Sequence, residues 1–251
     1  MTRVKKDRRD TVRPAPSNGL QTTRKTMNRA LARALLSTAV AALTAVSSHA
    51  AEAQGANPKV EAKAAMCMGC HNIVGYQTTF PQVYKVPMIA GQDPKYIVSA
   101  LTQYKAGDRK HPTMRGQADN LTEKDMADIA AFYSALGKSA PAERPVPDMV
   151  ETPVPEALRG KLAVCAGCHG ANFNKPTDGT IPRLAGQHAD YLYATLKAYH
   201  TTDNPKVGRK NATMNPMAAM LSDDEMKATA DYLASLPGDL RLVPESRFRT
   251  H

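Results

Sequence analysis

The sequence predicts an all-α fold of two tandem helical domains, and three observations lead there. One unit of sequence occurs twice, in the same order, on either side of a proline-rich join. Apolar residues recur at helical spacing in both copies, and no stretch shows the apolar and polar alternation of a half-buried strand. The copies span residues 54–138 and 156–240. Domains this small bury little surface unless a metal, a disulfide or a large cofactor helps them. The chain has no Trp and only 4 Phe among 251 residues, so few large rings are available to fill a core.

Each copy opens with a short amphipathic segment leading into a cysteine pair, with Val60, Ala64 and Cys67 in the first and Leu158, Leu162 and Cys165 in the second. A loop then reaches Val86-Pro87-Met88-Ile89-Ala90-Gly91-Gln92, matched by Ile181-Pro182-Arg183-Leu184-Ala185-Gly186-Gln187. A helix follows with Tyr96, Ile97, Ala100, Leu101 and Tyr104 on one face, matched by Tyr191, Leu192, Thr195, Leu196 and Tyr199. The last helix of each copy starts with a capping signature, Thr122-Glu123-Lys124-Asp125 or Ser222-Asp223-Asp224-Glu225. Its apolar stripe is Met126, Ile129, Ala130, Tyr133 and Leu136 in copy one, and Met226, Ala230, Leu233 and Leu236 in copy two. Between the copies, residues 139–155 hold Pro141, Pro145, Pro147, Pro153 and Pro155 and read as an extended, semi-rigid linker.

The formal charge of +10 points toward nucleic acid or a membrane surface until it is located. Residues 1–50 hold ten Lys or Arg against Asp7 and Asp10, a net of +8, which leaves +2 for the remainder. A nucleic-acid partner is therefore not expected. The same segment reads as an export signal. Arg29 and Arg33 precede an apolar run from Ala34 to Val46, and cleavage is expected after Ala50 or Ala53. The run is shorter than the roughly 20 residues a spanning helix needs. Met27 opens a signal of ordinary proportions, so translation starts at Met1 or Met27. Arg8-Arg9 lies too far from the apolar run to act as a twin-arginine signal.

All four cysteines fall in two motifs, Cys67-Met68-Gly69-Cys70-His71 and Cys165-Ala166-Gly167-Cys168-His169. Cysteines three apart on a helix share one face, so both thiols can form thioethers to the two vinyl groups of one porphyrin, and the next His can ligate its iron. Two covalently attached haem c groups are expected, on Cys67 and Cys70 and on Cys165 and Cys168. A four-cysteine zinc site normally has its pairs about 15–20 residues apart; here a whole helical unit separates them. A thioredoxin-like pair needs a βαβ context. Plain disulfides leave the His after each pair unexplained.

His71 and His169 are thus the expected proximal iron ligands. For the sixth position the repeat selects Met114 and Met214, because His111-Pro112-Thr113-Met114 aligns with Asn211-Ala212-Thr213-Met214, each Met seven residues before Leu121 or Leu221. A Met thioether there raises the reduction potential. His111 is the rival in copy one, and Met217 and Met220 share the loop in copy two. Met126 and Met226 read as core residues, and His188 and His200 as surface or haem-edge residues. Pro87 and Pro182 are placed to offer a backbone carbonyl to the imidazole N–H.

With these residues in view, the chain resembles the cytochrome c4 family over roughly residues 57–238. The resemblance rests on the paired Cys-x-x-Cys-His motifs, the Ile-Ala-Gly-Gln and Leu-Ala-Gly-Gln loops, and the segments from Met to Leu-Thr or Leu-Ser. It implies two cytochrome c-like domains with His/Met iron in each, packed about a pseudo-twofold axis with haem propionates near the interface. It also implies a periplasmic carrier taking electrons from a quinol-oxidising complex toward a terminal oxidase, compatible with peripheral membrane association. Copy one departs with a longer Cys-to-Gly-Gln loop containing Tyr76, Phe80 and Tyr84, and copy two with a longer segment from Tyr199 to Met214. Two other functions compete with a non-enzymatic carrier. One is the haem subunit of a dehydrogenase complex; the other is a dihaem peroxidase, which needs an open iron position and an acid/base residue beside it.

Overall fold

The sequence repeat is a repeat of helices. The computed structural model describes residues 58–139, 153–201 and 203–244, all within a unit that begins at Gly55. The expectations for the export signal, and for the linker over 140–152, lie outside the described residues.

In the first half, α1 (Pro58–His71) carries Glu61 in its first turn, where a carboxylate suits the helix dipole. Next come α2 (Pro94–Ala106), α3 (Pro112–Asp119) and α4 (Glu123–Ser139). Asp93 caps α2 by accepting from the Lys95 N–H at 2.9 Å; Pro94 sits at the helix start, and Gly107 ends the helix with φ 85. The second half repeats this order with α5 (Arg159–His169), entered through a 3₁₀ turn at Glu156–Leu158, then α6 (Ala189–His200), α7 (Met214–Ala219) and α8 (Asp223–Ser235). Both predicted caps form. Thr122 and Asp125 bond reciprocally ahead of α4, and Ser222 and Glu225 do so ahead of α8. In each half a lysine of the first helix reaches the capping acid of the last, Lys63 to Asp125 and Lys161 to Glu225.

The helical stripes bury two small cores. Ala64, Met68, Ile97, Leu101, Ile129 and Tyr133 form one, with α1 and α2 packed on α4. Leu158, Leu162, Phe173, Leu192 and Leu233 form the other, with α6 packed on α8. Met126 and Met226 are buried, as the stripe predicts. The last helix of each half closes on the Ala-Gly-Gln loop, where the N–H of Gly91 donates to Tyr133 O and that of Gly186 to Leu233 O. Gly91 and Gly186 hold left-handed φ of 85 and 76, a conformation suited to glycine. Gly137 of α4 lies so close to the Gly91 backbone that a Cβ has no room.

Among the described residues, four two-residue strands, too short to leave an alternation in the sequence, add to the helices. β1 (Gln77–Thr78) pairs with β2 (Tyr84–Lys85), and β3 (Arg109–Lys110) with β4 (Gly208–Arg209), both antiparallel. The β3–β4 ladder joins the halves. The two departures from the repeat are also used there. The longer loop of copy one makes the β1–β2 hairpin, from which the Lys85 N–H donates to Asp190 at 2.9 Å and Tyr84 packs on Tyr191. The longer segment of copy two places Lys206 over the Phe80 ring at 5.1 Å, and Asn204 O accepts from Lys110. After α8 the chain crosses back to the first half, where the Arg241 N–H donates to Ala90 O at 2.9 Å and Val243 packs on the first core.

Candidate functional site

His71 is the last residue of α1 and His169 the last of α5, so each helix end aims an imidazole at the following loop. That loop meets it with a carbonyl. His71 Nδ1 lies 2.7 Å from Pro87 O, and His169 Nδ1 lies 2.9 Å from Pro182 O. A carbonyl only accepts, so Nδ1 carries the proton in both rings and Nε2 is left with a lone pair. Burial lowers the pKa of both rings, with the proline carbonyl working against it, so each imidazole is neutral at pH 7 and able to ligate a metal. The carbonyl contact expected of Pro87 and Pro182 is present in both halves.

On the same helices Cys70 and Cys168 directly precede the histidines, Cys67 and Cys165 stand a turn further back, and none of the four is in a disulfide. Burial pushes the Cys67 thiol up to about 11 and raises that of Cys165. Cys67, Cys70 and Cys168 line one large cavity together with His71, His169, Met114 and Met214. Cys165 does not line it and packs against the second core instead.

The segment before each Met, read as a loop from sequence, starts a short helix. Met114 lies in the first turn of α3, and Met214 is the first residue of α7. The side chain before it explains why. His111 Nδ1 accepts from the Met114 N–H at 3.2 Å, and Asn211 Oδ1 accepts from the Met214 N–H at 2.8 Å. His111 is the N-cap of α3 and Asn211 lies two residues ahead of the N-cap of α7, yet both side chains satisfy the N–H of the methionine three residues on. His111 lines the cavity too, but its Nδ1 is engaged as acceptor, and burial followed by the Arg209 charge lowers its pKa. Of the other rivals, Met220 is exposed and Met217 does not line the cavity. His188 precedes α6, and the exposed His200 bonds Ala218 O through Nε2.

The sequence reading missed a second cluster on the cavity wall. Arg109 and Arg209 are buried, at 4% and 9% exposure. Arg109 stacks over Tyr96 at 5.2 Å and Tyr104 at 5.6 Å; Arg209 stacks over Tyr191 and Tyr199, each at 5.7 Å. Arg109 donates to Tyr96 Oη and Gln103 Oε1, and Arg209 to Tyr191 Oη. Burial pushes the Tyr96 phenol up to about 12, against the pull of Arg109. Among the described residues neither guanidinium meets a carboxylate. The signal was in the repeat, since Arg109-Lys110 and Arg209-Lys210 stand at the same distance before their methionines.

The cavity measures about 710 Å³ and is continuous across both halves. It offers two neutral imidazoles, two thioethers, cysteine thiols, apolar walls including Ile97, Leu101 and Leu192, and two guanidinium groups that meet no carboxylate among the described residues. That donor set fits haem, a flat apolar group with an iron centre, two vinyl groups and two carboxylates. Among the described residues no helix is long and apolar enough to cross a membrane.

Residues 160–237 match the cytochrome c family. The chain is 32% identical to cytochrome c4 of Azotobacter vinelandii over 84% of its own length and the whole of that protein. It is 30% identical to the thiosulfate dehydrogenase electron acceptor of Stutzerimonas stutzeri over 72% of this chain and 82% of that one. Reduced recombinant cytochrome c4 from Pseudomonas stutzeri superposes with a TM-score of 0.52 at 26% identity, covering 72% of this chain and 98% of that one.

Proposed function

Given that the chain belongs to the cytochrome c4 family, we propose that it is a periplasmic electron carrier in which both irons are held by His and Met and neither meets substrate. It binds haem c covalently and transfers electrons. The reading divides it into two haem-bearing units, residues 54–138 and 156–240, with Cys67 and Cys70 tethering one haem and Cys165 and Cys168 the other. The observation that carries it is the repeated pairing of a carbonyl-fixed imidazole with a methionine of held backbone, all lining one cavity.

Haem supplies a one-electron iron couple. The chain fixes its surroundings. Pro87 and Pro182 orient His71 and His169 and strengthen their donation through the Nδ1–H bond. His111 and Asn211 hold the turns that present Met114 and Met214, and Arg109 and Arg209 are suited to face the propionates. With His71 and Met114 holding one iron and His169 and Met214 the other, no open position of the kind a peroxidase needs would remain.

For the partners, a quinol-oxidising complex as donor and a terminal oxidase as acceptor suit a carrier exported by the signal in residues 1–50. A second reading is favoured by the likeness to a thiosulfate dehydrogenase electron acceptor. It makes a dehydrogenase the donor.

An optical and paramagnetic-resonance redox titration tests the assignment. Two low-spin species with Met-to-iron absorption are expected. A five-coordinate species, or turnover of peroxide, overturns it. Reduction by a quinol-oxidising complex, compared with reduction by a thiosulfate-oxidising dehydrogenase, separates the two donors.

A further inference from the structure

The glutamine of each Ala-Gly-Gln loop bonds into the opposite half. Gln187 is buried and reaches across the interface, where its Oε1 accepts from the Met88 N–H at 3.0 Å and its Nε2 donates to Met88 O at 2.9 Å. Gln92, equally buried, accepts from the Arg183 N–H at 3.0 Å and donates to Arg183 O at 3.1 Å. Each Oε1 also accepts from the N–H that follows it, His188 or Asp93, both at 3.0 Å, which fixes the amide's orientation.

Met88 and Arg183 are the residues directly after Pro87 and Pro182. The Met88 N–H and the Pro87 carbonyl are thus the two ends of one rigid, planar peptide unit. One end is held by Gln187 of the second half, and the other accepts from His71 of the first. The peptide unit of Pro182 and Arg183 is held the same way, by Gln92 at its N–H and by His169 at its carbonyl. An acceptor on a peptide N–H polarises that peptide and makes its carbonyl a stronger acceptor. A stronger carbonyl draws the Nδ1 proton more firmly and makes the imidazole a better donor to a metal.

We propose that Gln92 and Gln187 are positioning residues that act crosswise, each setting the donor strength of the proximal histidine in the opposite half and so the potential of the opposite haem. This rests on His71 and His169 being the proximal ligands. It gives the pair of haems a route of mutual tuning through hydrogen bonds, independent of the Arg109 and Arg209 charges.

The test uses the full-length holoprotein carrying Gln187→Met, which keeps the length of the side chain and removes its hydrogen bonds. Two readouts are followed, the two midpoint potentials and the hyperfine-shifted Nδ1–H resonances of the two proximal histidines. The expected result is an upward shift of the potential of the haem on Cys67 and Cys70, together with a moved His71 Nδ1–H and an unmoved His169. Gln92→Met should give the reverse, shifting the haem on Cys165 and Cys168. The near-isosteric Gln187→Glu keeps an acceptor on the Met88 N–H and is expected to restore or lower the shifted potential; it also serves as the test if Gln187→Met fails to assemble. A shift confined to the variant's own half, equal shifts in both halves, or no shift overturns the proposal. Loss of the Met-to-iron bands or of a proximal Nδ1–H in the unmutated protein instead overturns the ligand assignment on which it rests.

Discussion

Arg109 and Arg209 stand opposite each other in register on the β3–β4 ladder that joins the halves. Two buried cations placed this way repel, and the tyrosine faces beneath them supply only partial compensation. In the proposed function, haem propionates would be the anions that complete the cluster. Removing either guanidinium takes positive charge away from the iron and so favours its oxidised state. At an effective dielectric near 20 this is worth about 1 kcal/mol, or about 40 mV for a one-electron couple. Arg109→Met and Arg209→Met are each expected to lower at least one midpoint potential by that order in a redox titration. Unchanged potentials in both variants would remove the counter-ion role.

The capping acid of α8 gives a pH dependence with a definite sign. Lys161, 2.6 Å away, and the Ser222 N–H hold the Glu225 carboxyl below its usual range. A depressed carboxylate pKa means that the contribution is fully present above the ordinary value near 4.3 and is lost as pH falls through the lower folded value. Thermal melts between pH 7 and pH 3 should therefore show a steeper acid loss for the native chain than for Glu225→Gln. Equal slopes would show that the cap does not titrate with folding.

Much of this arrangement was legible in the sequence, and what was not has physical reasons. The helices could be read because their stripes repeat, and the caps because Thr122, Asp125, Ser222 and Glu225 sit at the required spacing. The carbonyls facing His71 and His169 were anticipated from Pro87 and Pro182. The β3–β4 ladder could not be read, because two residues make no pattern and their partner lies in the other half. The sequence puts Tyr96 and Tyr191 on a helical face without showing what their rings meet. Only the fold brings Arg109 and Arg209 over them. The longer loops read only as departures from the repeat, because a sequence shows an insertion but not what it touches; here Lys206 lies over the Phe80 ring across the halves.

Gly137 tests the close approach of α4 to the Gly91 loop. A methyl group there meets the main chain of Ala90 and Gly91, not a flexible side chain, so the loop itself must shift. Gly137→Ala is expected to destabilise the holoprotein by about 2 kcal/mol, in the range of overpacking substitutions. Gly69, with open space around its Cβ position, is the control, and Gly69→Ala should be near neutral in the same denaturation experiment. Comparable losses in both would mean that α4 and the Gly91 loop leave room for a methyl group.

The methionine assignment separates from its rivals in a single set of variants. Met114 and Met214 line the cavity with their backbone N–H groups capped by His111 and Asn211, whereas Met220 is 44% exposed. Met114→Ala and Met214→Ala should each abolish one of two Met-to-iron absorptions and lower one potential, because loss of the thioether withdraws support from the ferrous state. Met220→Ala should leave both bands in place. Asn211→Ala removes the cap and not the ligand, so it should keep the band and cost about 1 kcal/mol of stability. A protein that keeps both bands after Met214→Ala and loses one after Met220→Ala would transfer the sixth ligand of the second half to the exposed end of α7. The capped turn would then hold no ligand in that half, and the symmetry between His111 and Asn211 would be one of folding alone.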